Sequence, residues 1–210
     1  NADEGGFFRP LHTEQELLAL IDALPALSGA ERMGLVDHQW ALVRAGRVPV
    51  DDLLDLVAAL GDERDPDVLA TAKRPLHALA DRLAPDLSRD CERRMRAWVE
   101  LVFGAQADEL GFDAAPDETD EQRLRRAAVV EIVGAVGQAS RVVAEAAERC
   151  HRYVKDRGSL EPNLADAIVS IAASHGDAWL YDELARAMQE ARPPQEQRRF
   201  LLALCDFPEA

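Results

Sequence analysis

The residues with the most reactive side chains do not assemble into a known catalytic motif. None of the five histidines begins an HExxH sequence, which would place two zinc-binding imidazoles and a basic glutamate on one helical face. No GxSxG, P-loop or GxGxxG sequence is present either. Cys150 and His151 are neighbours, but adjacent helical residues point in different directions, which disfavours a catalytic pair. We therefore predict no catalytic residue, no metal ligand and no cofactor in this chain.

Glu131 is the first of two weaker candidates for a functional site. It is the only charged residue between Ala127 and Val136. Burial in such surroundings raises the pKa of a carboxylate and would suit a residue that lines a cavity. We favour the simpler alternative, in which the carboxylate reaches solvent or pairs with a neighbouring arginine.

An arginine cluster just before Glu131 is the second candidate. Arg123, Arg125 and Arg126 could bind the carboxylate of a substrate, because a guanidinium group holds a carboxylate with two parallel hydrogen bonds. We favour a solvated helix face that is balanced by nearby acidic residues. These acids are Asp117, Glu118, Asp120 and Glu121. Arg123, Arg126 and Glu131 remain only as candidates for the lining of a cavity.

Composition limits the partners and the compartment. The 210 residues carry a formal net charge of −15, which disfavours nucleic acid or an anionic membrane as a partner. No run of 18 apolar residues could span a membrane. Three widely spaced cysteines, Cys91, Cys150 and Cys205, predict buried free thiols rather than disulfides. We expect a cytoplasmic protein, and the excess of arginine over lysine suggests a bacterial source.

The elements that must position these side chains are helices. Residues 28–61 predict two antiparallel helices joined by a tight turn. Ser28 and Glu31 form a capping-box pattern, and Gly46 can take the left-handed position that ends a helix. Apolar residues then recur at three- and four-residue spacing on both helices. The unit is about 34 residues long, which is in the range of known helical repeats.

The same alternation of helices and short turns continues along the chain. We predict about ten helices over residues 13–210, including one over 67–84 that Pro75 kinks or splits and a long one that starts at Pro85. The predicted fold class is all-α, a right-handed α–α superhelix of HEAT- or armadillo-like antiparallel helix pairs, with a compact bundle as the alternative. Residues 1–12 are predicted to be an extended lead-in from a preceding domain. The tryptophans are expected in the core, namely Trp40, Trp98 and Trp179.

Several short motifs follow one another in a fixed order. A GFFR sequence near the N-terminus precedes the segment 31–46, and shorter pieces follow at 161–164, 176–179 and 200–208. The first two are similar to the GFYRV and ERxxLLxDAFxLxxAG elements of the gluzincin zinc aminopeptidases. The whole ordered set resembles the C-terminal helical domain of the aminopeptidase N-like and puromycin-sensitive enzymes. The residues that carry the resemblance are Gly6, Phe7, Phe8, Arg9, Arg32, Asp37, Trp40, Gly46, Pro162 and Trp179.

This resemblance implies a function. In that family the zinc lies in a preceding catalytic domain, and the helical domain closes over it, encloses the peptide-binding cavity and gates access. The implied partners are the protein's own N-terminal catalytic domain and a peptide substrate. The family domain usually has several more helices, so we expect a truncated stack that associates with itself through exposed apolar residues around Leu201 and Leu204. The alternative is a free-standing HEAT-like scaffold that binds a protein partner.

Overall fold

The computed structural model describes residues 8–208, and every regular element in this range is helical. Ten helices have nine or more residues, and α5 is a single turn. The α-helices are α1 (Glu14–Asp22), α2 (Gly29–Arg44), α3 (Val50–Ala58), α4 (Pro66–Ala78), α5 (Ala84–Leu87), α6 (Arg89–Leu110), α7 (Asp120–Glu131), α8 (Ser140–Lys155), α9 (Ala165–Ala173), α10 (Ala178–Glu190) and α11 (Pro194–Leu204). The prediction of an all-α superhelical domain of about ten helices is confirmed.

The helices alternate between two layers. Helices α2, α4, α7, α9 and α11 form one layer, in which each helix packs directly against the next. Helices α1, α3, α6, α8 and α10 form the other layer and touch one another much less. In a curved stack of helix pairs, the more closely packed helices lie on the inside of the curve. We therefore call the first set the inner layer and the second set the outer layer.

Local signals in the sequence set most helix ends. The side chains and backbones of Thr13 and Glu16 form a reciprocal capping box before α1, and Ser28 and Glu31 do the same before α2. Gly46 has a φ of 64°, and the N–H groups of residues 46 and 47 donate to the carbonyls of residues 43 and 42. This pair of bonds is a Schellman motif. The predicted start and end of the first helix of the hairpin are therefore confirmed.

Two inner-layer helices continue into π-helical turns. Leu79–Leu83 follows α4 and Ile132–Val136 follows α7. Pro75 lies within α4, and the helix stays α-helical to its end, so the irregular turn comes four residues after the proline. The predicted long helix does not start at Pro85, because Ser88 is extended and caps α6 by accepting a hydrogen bond from the N–H of Cys91 at 3.0 Å.

The main core lies between the two layers, from α3 to α11. Gly134 leaves no room for a side chain in this core, because an added Cβ would lie 2.5 Å from Cδ1 of Ile171. A smaller cluster joins α1, α2, α3 and α4. No single helix within residues 8–208 is long and apolar enough to cross a membrane. The α7 segment with its π-turn passes this test only together with α8, to which it is bent by 111°.

Two expectations about buried side chains are wrong in part. Only Cys150 is buried, whereas Cys91 is half-buried and Cys205 is exposed just after α11. Trp40 and Trp98 pack against the core, but Trp179 is 54% exposed. Helical periodicity places a residue on a face but does not show how wide the buried stripe is, and Trp179 lies beyond its edge. Near the end of the described chain Leu201 is exposed and Leu204 is half-buried. The predicted self-association through this end stays a prediction.

Candidate functional site

The first two sequence motifs meet at Asp37, on the inner layer. Nη1 of Arg9 donates to Oδ2 of Asp37 at 2.7 Å and to its carbonyl oxygen at 3.0 Å. Nη2 of Arg74, on α4, donates to Oδ1 at 2.6 Å. Partial burial raises the pKa of Asp37, but the two guanidinium groups outweigh it and hold the pKa below its usual value. Gly6 and Phe7 lie outside the described residues.

Arg32, from the second motif, fastens two neighbouring turns together. Its guanidinium donates to both carboxylate oxygens of Glu63, at 2.7 and 3.0 Å, and to the carbonyl of Leu27 at 2.6 Å. Glu63 is 7% exposed, and its carboxylate also accepts the N–H groups of Arg64 and Asp65. The arginine thereby connects the α1–α2 turn with the α3–α4 turn.

The remaining motif residues lie at turns or at half-buried or exposed positions. Trp40 is half-buried with the guanidinium of Arg44 5.9 Å from its ring centroid. Pro162 starts a turn, and α9 begins three residues later. Trp179 lies in the first turn of α10 and contacts the ring of His151, with 5.1 Å between the centroids. These residues shape the stack and show no catalytic arrangement.

A groove between α2 and α4 opens on the inner layer. Its volume is about 610 Å³. Ala30, Met33, Gly34, Ala70 and Thr71 line it, with Asp37, Asp67 and Arg74 as its charged groups. An apolar floor with a few charged groups at the rim is typical of sites that bind part of a peptide or a small ligand.

Further along the inner layer, five side chains from consecutive inner helices converge. Lys73 and His77 come from α4, Glu131 from the end of α7, Ser170 from α9, and Asp206 from the turn after α11. We call this set the inner-face cluster. Nζ of Lys73 lies 2.6 Å from Oε2 of Glu131, and both side chains are 27% exposed. The hydroxyl of Ser170 donates to Oδ2 of Asp206 at 2.7 Å.

The pKa of Asp206 lies above its usual value. Burial raises its pKa, and the negative charge of Glu131 acts in the same direction. The hydrogen bond from Ser170 and the nearby His77 oppose the shift without cancelling it. His77 also pairs through Nδ1 with Asp81 at 2.9 Å. The carboxylates of Glu131 and Asp206 thus influence each other, and Lys73 and His77 are the basic side chains of the cluster.

Of these five residues, the sequence pointed only to Glu131. Glu131 is partly exposed, as one of the two expected alternatives had it, and it pairs with Lys73, 58 positions away, rather than with an arginine. Lys73 is one of only two lysines in the chain, a compositional signal that could have drawn attention to it. Nothing in the local sequence connects Ser170 or Asp206 with α4.

The arginine cluster before Glu131 is largely buried. Arg126 is 5% exposed and Arg125 is 8% exposed, so the expected solvated face is wrong for these two residues. Arg126 holds Glu118 through two hydrogen bonds of 2.5 and 2.6 Å. Arg125 donates to Gln106, while Arg123 is half-buried and lies 3.8 Å from Asp120. Arg126 therefore already pairs with a carboxylate of the same chain, that of Glu118.

The described residues show no site for a resident metal. Within residues 8–208, no three His, Cys, Asp or Glu side chains come together as metal ligands would. The parts of this chain that the structure describes therefore do not fit a zinc ion. What the structure defines is a two-layer helical-repeat domain with a grooved, charged inner face.

Comparison with known sequences places this domain in a family. The model of the ERAP1-like C-terminal domain matches residues 1–210, and the chain belongs to this family. It is 26% identical over 216 residues to Aminopeptidase M1-A of Oryza sativa subsp. japonica and 25% identical to Aminopeptidase M1 of Arabidopsis thaliana. It is 19% identical over 211 residues to Puromycin-sensitive aminopeptidase of Caenorhabditis elegans.

These alignments cover the whole chain but only part of each relative. The chain spans 24% of the two plant proteins and 22% of the nematode protein. The resemblance to the C-terminal domain of aminopeptidases, which the motifs indicated, is confirmed at the level of the family. The relatives come from plants and a nematode, and the bacterial source suggested by composition stays a prediction.

Proposed function

We propose that this chain is a non-catalytic C-terminal domain of a zinc aminopeptidase, and that its inner layer faces the catalytic domain across a peptide-binding cavity. Membership of the ERAP1-like C-terminal domain family over all 210 residues carries the proposal. It is supported by relatives named as aminopeptidases, of which this chain matches about a quarter. In this proposal the zinc ion and the catalytic residues belong to a preceding domain of the same polypeptide.

The inner layer has the surface that such a role requires. The groove between α2 and α4 offers an apolar floor, and the inner-face cluster adds charged and polar groups from α4, α7, α9 and the turn after α11. A cavity closed by this layer would hold the part of a peptide that lies beyond the cleaved bond. Opening and closing of such a cover would gate substrate entry and product release.

The test uses the full-length protein and two classes of substrate. An aminoacyl anilide occupies only the catalytic centre, whereas a ten-residue peptide reaches the inner layer. The double variant Lys73→Met/Glu131→Gln removes an ion pair without leaving either charge unpaired. We expect the ratio of kcat/KM for the peptide to kcat/KM for the anilide to change by at least about fivefold, equivalent to about 1 kcal/mol.

The control lies on the outer layer. Glu148, on α8, is exposed, and Glu148→Gln should leave the ratio of the two kcat/KM values unchanged. An equal ratio in the wild type and the inner-layer variant would refute the placement of this face. The purified 210-residue chain should release no N-terminal amino acid from either substrate. An upstream coding sequence without HExxH would instead favour the free-standing scaffold.

A further inference from the structure

A pocket outside the inner layer lies between the start of α10 and the turn that follows α11. Its volume is about 580 Å³. The rings of Tyr181 and Phe207 form two of its walls, with centroids 5.2 Å apart and planes at 79°. Phe207 is held against the backbone of Gly176, where an added Cβ would lie 2.5 Å from the ring. The aromatic corner is therefore fixed by close packing.

The charge of the pocket is negative. Asp177 and Asp182 line it, and no lysine or arginine is among its described lining residues. Asp177 uses Oδ1 to accept the N–H of Leu180 and so caps α10, which offsets the positive end of the helix dipole. Asp182 is exposed, and its carboxylate makes no hydrogen bond or ion pair with the described residues. The carboxylate of Asp182 is therefore available to a ligand in a pocket that Tyr181 and Phe207 also line.

This combination suits a cationic group. Aromatic rings attract ammonium and guanidinium ions, and the attraction grows when the ion also meets a carboxylate and loses water. The pocket has room for the whole side chain of an arginine or a lysine. We infer that this pocket binds a basic side chain of a polypeptide, with Asp182 as its counter-ion and Tyr181 and Phe207 as its walls. The inference does not depend on how the domain meets a catalytic domain.

The test exploits the tyrosine content of the chain. Tyr153 and Tyr181 are its only tyrosines, so 3-fluorotyrosine labelling gives two fluorine NMR signals, which the variant Tyr181→Phe assigns. Tyr153 is buried and serves as an internal reference. The probes are N-acetyl-arginine methylamide and its neutral isostere, N-acetyl-citrulline methylamide. We expect arginine to shift the Tyr181 signal saturably, citrulline to leave it in place, and the Tyr153 signal to stay unchanged.

The variant Asp182→Asn should raise the Kd for the arginine probe about tenfold, as expected for the loss of one charged hydrogen-bond partner. The matched control Asp62→Asn changes an exposed carboxylate in the α3–α4 turn and should leave the Kd unchanged. Equal shifts with citrulline, no shift with arginine, or an unchanged Kd in Asp182→Asn would each overturn the inference.

The source of the basic side chain is a separate question for the full-length protein. Hydrolysis of two peptides, one with a distal arginine and one with citrulline at that position, would be compared in the wild type and in Asp182→Asn. Loss of a preference for arginine would identify the occupant as part of a peptide substrate. Binding of the arginine probe without any such preference would identify it as a segment of another polypeptide.

Discussion

Removing Glu118 from its ion pair with Arg126 should be among the most destabilising single charge changes in this domain. The two side chains are 6% and 7% exposed and share two hydrogen bonds of 2.5 and 2.6 Å. Nε of Arg126 also donates to the carbonyl of Leu110 at 3.0 Å. The variant Glu118→Gln leaves the guanidinium buried without a counter-charge, which costs about 3–5 kcal/mol in comparable sites. Because glutamine can still accept one N–H, we expect a loss of about 3 kcal/mol.

A second ion pair, whose acidic residue also lies between α6 and α7, supplies the control. Asp113 accepts two hydrogen bonds from Arg149, both of 2.8 Å, so its geometry is also bidentate. The carboxylate of Asp113, however, is 83% exposed. Since water screens such a pair, Asp113→Asn should cost only about 0.5 kcal/mol. The two variants therefore separate the effect of burial from the effect of geometry.

The assay is urea unfolding followed by tryptophan fluorescence and by circular dichroism, with coincident transitions required before free energies are derived.

Arg126 lowers the pKa of Glu118, an effect that burial opposes only in part. The stabilisation is thus fully present above the unfolded pKa of about 4.3 and is lost as the pH falls through the lower folded value. The difference between wild type and Glu118→Gln should therefore shrink below about pH 4. A loss under 1 kcal/mol at pH 7, or one that is constant down to pH 3, would refute the reasoning.

Three further predictions concern packing and reactivity. Gly134→Ala should destabilise the domain by about 1–3 kcal/mol through overpacking, whereas Gly104→Ala, which meets only ordinary contacts, should be neutral or stabilising in the same urea assay. Gly46→Ala should cost about 1 kcal/mol, because the residue has a φ of 64°. Burial raises the pKa of Cys150 to about 12, so mass spectrometry should find it unmodified by iodoacetamide at pH 8 while Cys205 is alkylated.

The sequence best predicts those structural features, such as helix ends, that depend on residues close together in the chain. The capping box before α2 and the glycine after α2 involve residues at most five positions apart, and both form as expected. The break at Ser88 was missed because its extended conformation competes with a good helical pattern on both sides. Ser88 is itself a favoured N-cap residue, which is the signal that could have placed the boundary.

The candidate site lies beyond what such local signals can show. Lys73 and Glu131 are 58 residues apart, and Asp37 and Arg74 are 37 apart. Each pair exists only because inner-layer helices pack side by side. For the arginines of α7 the local sequence predicts a solvated face, and this is wrong for Arg126. The segment between α6 and α7 packs against α7, so that Glu118 pairs with Arg126 and both side chains are buried.

The residues that identify the family and the residues of the two surfaces described above overlap in part. Arg9, Arg32 and Asp37 fix the lead-in and the first turns to one another. The later motif pieces at 176–179 and 200–208, in contrast, supply Asp206 to the inner-face cluster and most of the lining of the pocket beside Tyr181. Asp182 lies outside these pieces and is exposed, so a substitution there can alter the charge of the pocket without disturbing the contacts that build the stack. A shared family accordingly predicts a shared scaffold, while the charge of each surface has to be argued from the residues of each chain.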